Sequence, residues 1–137
     1  MNRTATDSGN VLIEFISIAL LLIIPITYVA FQTAYVARTY VALTSISSLA
    51  TRAFVIQPTD QRARQIAALE IARELRAQHL TKQTFRTSIT CTQSPCISPG
   101  GFVTLALSGK VKISVPFIKA VEIPLKSSQT LAVDGYK

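Results

Sequence analysis

Glu14 is the residue whose type and setting could do the most chemistry. It is the one charge in residues 11–31, which read VLIEFISIALLLIIPITYVAF. A carboxylate costs about 2.5–3.5 kcal/mol at the centre of a bilayer and less toward the interface, so something must compensate it. The preceding residues, Asp7-Ser8-Gly9-Asn10, suggest what. A cut after Gly9 would create a new amine on Asn10 and make Glu14 the fifth residue of the product. That amine and that carboxylate could then neutralise each other within or between subunits. Cys91 and Cys96 form the second pair able to react. Ser94-Pro95 between them favours a turn that brings the sulfurs to bonding distance, with two unpaired thiols as the alternative.

Other chemistry lacks residues. Zinc wants four ligands, and a C-x4-C pair with one distant histidine, His79, is a poor site for it. The same lone histidine leaves no nucleophilic triad to assemble. Pro99-Gly100-Gly101 lacks the Lys-Ser/Thr that follows in a phosphate loop. Asp60, Glu70, Glu74 and Glu122 read as helix caps, surface pairs and solvent-facing strand positions. No catalytic residue, cofactor or metal is expected, and the chain does not read as an enzyme.

The net charge is +7, and all but one of the 14 Lys and Arg follow residue 37. They are scattered singly. A solvated surface is the main reading, and attraction of nucleic acid, anionic lipid or anionic wall polymer is the other. Aromatics are not interleaved with the bases as a stacking platform requires, so nucleic acid is not expected as a main partner.

These residues must be positioned by a small set of elements. A helix over residues 11–31 spans about 30 Å, too long for the apolar part of a signal peptide. Pro25 removes the hydrogen bond to the Leu21 carbonyl, which membrane helices tolerate, often with a kink. Tyr28 and Tyr35 suit the outer membrane interface. The positive-inside rule, applied to Arg3 before the span and Arg38 and Arg52 after it, places the C-terminal part in the cytoplasm. The cysteine pair places it outside, and we follow the cysteines.

Helical spacing continues beyond the span, with Ala42, Ile46, Leu49, Ala50 and Ala53 on one face and Thr44, Ser45, Ser48 and Arg52 on others. Pro58 ends this helix, which thus covers about residues 11–55. A second helix starts at Thr59 or Asp60, either of which can cap it, and reaches about Leu80. Its stripe is Ala68, Ile71, Ala72 and Leu75, extended by His79 as the edge of the packed face. Ile66, Leu69 and Leu80 fall on another side, so two faces are expected to be covered.

After Lys82 the period becomes two. Phe85, Thr87, Ile89 and Cys91 mark one strand, and Val103, Leu105 and Leu107 a second. Val111, Ile113 and Val115 mark a third, turning at Ser108-Gly109-Lys110 so that Leu107 meets Val111, Leu105 meets Ile113 and Val103 meets Val115. Residues 121–125 and 130–133 add edge strands, limited to edges by Pro116 and Pro124. The class is α+β: a long N-terminal transmembrane helix extending into a small domain with a second helix and an antiparallel β-sheet. Residues 1–9 read as a leader, 10–37 as the membrane part and 38–137 as an extracytoplasmic domain.

Gly9 followed by Glu14, the apolar helix and the small cysteine-bearing domain resemble TadE-like pilins of the tight-adherence (Flp) pilus system. Gly100-Gly101-Phe102-Val103-Thr104-Leu105, Val115-Pro116-Phe117, Ile123-Pro124-Leu125 and the ending Val133-Asp134-Gly135-Tyr136-Lys137 look like the tail of actinobacterial members. The resemblance implies a pilin-like fold and cleavage between Gly9 and Asn10 by a cytoplasm-facing prepilin peptidase. It implies that Glu14 pairs with a neighbouring subunit's amine and that Pro25 marks a segment that loosens during assembly. It further implies a minor pilin or pseudopilin working with other pilin subunits, a membrane platform and a secretion ATPase. The chain departs from the pattern at Asn10, where an aliphatic or aromatic residue is usual. It also has Phe15 where the major Flp pilins have tyrosine after the glutamate, and its soluble part is longer than theirs. These departures favour an accessory subunit. Two other readings stay open: an uncleaved single-pass anchored interaction protein, with Glu14 snorkelling to the interface, and a pseudopilin of a type II secretion machine.

Overall fold

Apolar residues at every angle in one stretch and on one side in the next shape the first element, α1, Asp7–Val55, a 49-residue helix. The computed structural model describes residues 7–81, 83–115 and 118–134. The chain divides into two units, Met1–Tyr35 and Val36–Lys137. In the first, α1 exposes its apolar side chains all round, from Val11, Leu12 and Ile13 to Val29 and Phe31. The helix runs unbroken through Pro25. Hydroxyls in this stretch turn back on their own backbone: Ser17 Oγ donates to the Ile13 carbonyl at 2.8 Å and Thr27 Oγ1 to that of Ile23 at 2.7 Å. Such bonds satisfy polar side chains where water is absent.

In the second unit, α1 gains an inside. Leu43, Ile46, Ala50 and Phe54 are buried, together with Thr39, Ser47 and Thr51. The expected face is therefore rotated: Leu49 is 41% exposed, while the two hydroxyl residues between the apolar ones lie in the core. They can, because Thr51 Oγ1 donates to the Ser47 carbonyl at 2.6 Å and Ser47 Oγ to that of Thr44 at 3.0 Å. A hydrogen-bonded hydroxyl escapes most of the burial penalty.

The second helix, α2, is Asp60–Ala77, shorter at its end than residue 80. Thr59 is the extended N-cap residue, but its hydroxyl makes no capping bond. Ala63, Ala67 and Ile71 are buried, with Leu75 packed beside them. Ala68 and Ala72 are exposed and Leu69 is 66% exposed, so a single face is covered, one residue away from the expected stripe. Alternating rows of alanine made the two neighbouring faces indistinguishable by hydropathy. His79 is no part of the packed face. It is exposed, with φ 56°, and sits just past the helix. Its N–H donates to the Arg76 carbonyl at 3.1 Å and that of Leu80 to Leu75 at 2.9 Å, the paired bonds of a Schellman motif. The reversal returns Leu80 to the core, where it joins Leu75 in one cluster.

The sheet has three antiparallel strands in the order β1-β2-β3, with β1 at Phe85–Cys91, β2 at Phe102–Val115 and β3 at Ile118–Ala132. The hairpin expected at Ser108-Gly109-Lys110 does not exist. Strand β2 runs straight through Gly109, and its odd-numbered residues, Val103, Leu105, Leu107, Val111 and Ile113, keep one face inward throughout. Gly109 is needed because it stands opposite Phe85, whose ring occupies the space a Cβ would take. An aromatic side chain laid over a cross-strand glycine covers the gap glycine leaves. The partner of Val111 is Ile123, not Leu107, and residues 121–125 and 130–132 belong to the single strand β3. That strand is an edge, where Pro124 is tolerated. Pro116 and Phe117 lie outside the described residues, as do residues 1–6 of the expected leader and residues 135–137.

Leu43, Ile46, Ala50 and Phe54 of α1, Ala63, Ala67 and Ile71 of α2, and Val103, Leu105 and Leu107 of β2 form one apolar cluster. The layout is α+β, with helices on the inward face of the sheet. The Ser47 and Ser127 hydroxyls, 3.1 Å apart, tie α1 to β3 inside it.

Candidate processing and assembly site

Gly9, Asn10 and Glu14 all lie on α1. Glycine is about 1 kcal/mol worse than alanine within a helix, and Gly9 lies in the first turn of α1, so opening the helix at the Gly9–Asn10 bond costs little. Asn10 precedes Glu14 by four residues, which puts the two on one side of the helix one turn apart. A rise of about 1.5 Å per residue separates them by about 6 Å along the axis. An amine created at Asn10 would thus stand one turn from the carboxylate of its own chain. Glu14 is exposed among exposed Val11, Leu12, Ile13, Phe15 and Ile18.

Unbroken helix over this stretch also reveals an order that hydropathy had hidden. At 3.6 residues per turn, Asn10, Glu14, Ser17, Pro25, Tyr28 and Gln32 recur within an arc of about 80° that also holds Leu21. The remaining circumference is apolar apart from Thr27 and Thr33, whose hydroxyls bond carbonyls of their own helix. The signal was available in the sequence, but only to a reader who projects the apolar run onto a helix instead of averaging it. In a membrane, the side of a helix richest in polar groups faces protein more often than lipid.

The second pair of reactive residues belongs to the other unit. Cys91, at the end of β1, and Cys96 are disulfide-bonded, with Cα atoms 5.3 Å apart. Asp60 holds the loop between them. Its two carboxylate oxygens accept the backbone N–H groups of Cys96 at 2.8 Å and Ile97 at 2.9 Å. Asp60 is thus no helix cap, since its side chain points away from the N–H groups of α2. Arg64 Nη2 lies 3.7 Å from the Cys96 sulfur on the same side. Gly100, with φ 78°, and Gly101 then carry the chain into β2, joined to Val133 by two backbone bonds of 3.0 and 2.8 Å.

His79 has none of these groups for company, and among the described residues no cluster of three His, Cys, Asp or Glu could hold a metal ion. The helix α1 is long and apolar enough to cross a membrane, with a mean hydropathy of 2.4 in its most apolar window. No protein family, curated protein or solved structure matches this chain.

Proposed function

We propose that this protein is a minor pilin or pseudopilin, anchored in the membrane by α1 and acting in assembly of a tight-adherence (Flp) type IV-like pilus. One observation carries the reading: Glu14 stands alone in an apolar helix, one turn after Asn10 and directly downstream of Gly9. A prepilin peptidase cutting at Gly9 would supply the amine that offsets Glu14. Without that amine, the carboxylate costs up to about 3 kcal/mol in lipid. In an assembly, the amine of one subunit can meet Glu14 of the next and set their register. The polar arc from Asn10 to Gln32 supports the same reading, since it gives the helix a side suited to neighbouring subunits. The disulfide supports an extracytoplasmic domain, with the N-terminus cytoplasmic. The chemistry is then assembly, not catalysis, and its partners are other pilin subunits, the peptidase, and indirectly the platform and ATPase.

Intact mass and N-terminal sequencing of the chain expressed with and without a prepilin peptidase test this. Loss of residues 1–9 only with the peptidase, blocked by Gly9→Leu, is the expected result. An intact N-terminus under both conditions would overturn the pilin reading and leave an anchored interaction protein.

A further inference from the structure

The sheet has one face in the core and one in solvent, and the solvent face sorts its side chains by row. Thr90, Thr104 and Thr130 stand abreast across the three strands, followed by Ser88, Ala106 and Ser128. Next come Arg86, Ser108 and Lys126, then Lys110 beside Pro124, then Lys112 beside Glu122. Hydroxyls hold one end of the face and cations the other. Glu122 is the acid of this face, and it is occupied: Lys110 Nζ lies 3.1 Å from one carboxylate oxygen and Lys112 Nζ 3.7 Å from the other. The hydrogen bond and charge of Lys110, aided by Lys112, hold the Glu122 carboxyl below its usual range, so it stays ionised. Among the described residues, Arg86 and Lys126 enter no ion pair. The four cations border an open recess of about 1010 Å³, lined also by Gln83 and Thr84.

Spacing decides what such a face can hold. Neighbouring strands lie about 4.8 Å apart and same-face residues about 6.8 Å apart along a strand, so Arg86 and Lys126, two strands apart, are separated by about 10 Å. Their long side chains can take successive phosphates of one chain. Arginine and lysine both favour phosphate oxygens, and the summed field of four cations around one paired acid attracts a polyanion. The aromatic residue of this face, Phe102, stands beyond the threonine row, so no ring is placed among the cations to stack a base. Ser108 stands there instead, between Arg86 and Lys126, and its hydroxyl suits a hydroxyl-bearing unit between two phosphates. We propose that this face binds a linear polyol-phosphate polymer, with its phosphodiesters on Arg86, Lys126, Lys110 and Lys112 and the polyol between two of them over Ser108. The site lies wholly within residues 83–130 and holds whether or not the N-terminus is processed.

The test is binding of synthetic poly(glycerol phosphate) to the full chain in neutral detergent micelles, by calorimetry over a salt series. The pair Arg86→Gln/Lys126→Gln should weaken binding about tenfold and lower the slope of log K against log salt by about 1.4, the share of two phosphate contacts on a single-stranded chain. The pair Arg73→Gln/Arg76→Gln, which removes equal charge from the exposed side of α2, should change it less than about twofold. Unchanged thermal melting of both variants secures the comparison. Equal losses from the two pairs would show diffuse attraction and overturn the site. So would absence of binding at low salt. Tighter binding of duplex DNA, or of phosphatidylglycerol vesicles, with the same dependence on Arg86 and Lys126 would overturn the choice of polymer.

Discussion

Phe31 and Phe54 lie on the same helix and have opposite surroundings: the first is 72% exposed and the second is fully buried. Both stand beside Val and Ala, so their nearest neighbours do not separate them. Angular order does. Around Phe54, apolar and hydroxyl residues share one side of α1 and the charged Arg52 faces solvent. Around Phe31, none of the side chains is buried, although Tyr28 and Gln32 share one side, and the helix has no inside of its own. A stretch of that kind is complete only within another apolar phase, of lipid or of neighbouring helices. The difference teaches that the unit Val36–Lys137 has a core of its own, whereas the described part of Met1–Tyr35 has none.

That contrast can be broken most directly by truncating the two rings. Phe54→Ala should cost about 3–5 kcal/mol of domain stability, through lost burial and the cavity left behind. Phe31→Ala should change it by less than about 0.5 kcal/mol. Denaturant unfolding of the detergent-solubilised chain, followed by near-ultraviolet circular dichroism, reads both. Equal effects would mean that the two halves of α1 do not differ as described.

A smaller effect sharpens the account of the sheet that covers Phe54. Gly109→Ala would drive a Cβ into the Phe85 ring and the Thr84 carbonyl, at a cost of about 1–3 kcal/mol. Adding Phe85→Ala should recover part of that loss, so the two changes are not additive in a double-mutant cycle. Additive losses would break the pairing of Phe85 with Gly109. The smallest change acts at the end of α2. His79→Gly relieves a side chain held at positive φ and should stabilise the domain by about 0.5–1 kcal/mol. A fall in stability in the same unfolding assay would show that the imidazole contributes more than its backbone costs.

These residues also mark what could be read from the sequence. Helix, helix and antiparallel sheet were legible because their hydrophobic periods differ and because Pro58 punctuates the first boundary. The path of β2 was not. Gly109 looks like a turn residue when read locally, and only the unbroken odd-numbered phase from Val103 to Ile113 argues for one strand. The glycine answers to Phe85, more than twenty positions away, and sequence spacing carries no trace of that meeting. The inward side of α1 was misjudged for a related reason: Ser47 and Thr51 count as polar by type, yet their hydroxyls bond carbonyls of their own helix and accept burial. At the candidate site, Glu14 stood out because a charge in an apolar run is conspicuous. Asn10, Ser17 and Gln32 share its side of the helix and did not stand out, since uncharged residues barely alter an averaged hydropathy.

Asp60 grips the cystine loop by the main-chain N–H groups of Cys96 and Ile97, bonds that do not depend on side-chain identity. A hold of that kind is indifferent to spelling. Gln93 and Ser94, exposed at the tip, can be exchanged for other residues while the loop keeps its seat on α2. The fold therefore offers a short segment whose text is free to vary over generations while its frame stays fixed.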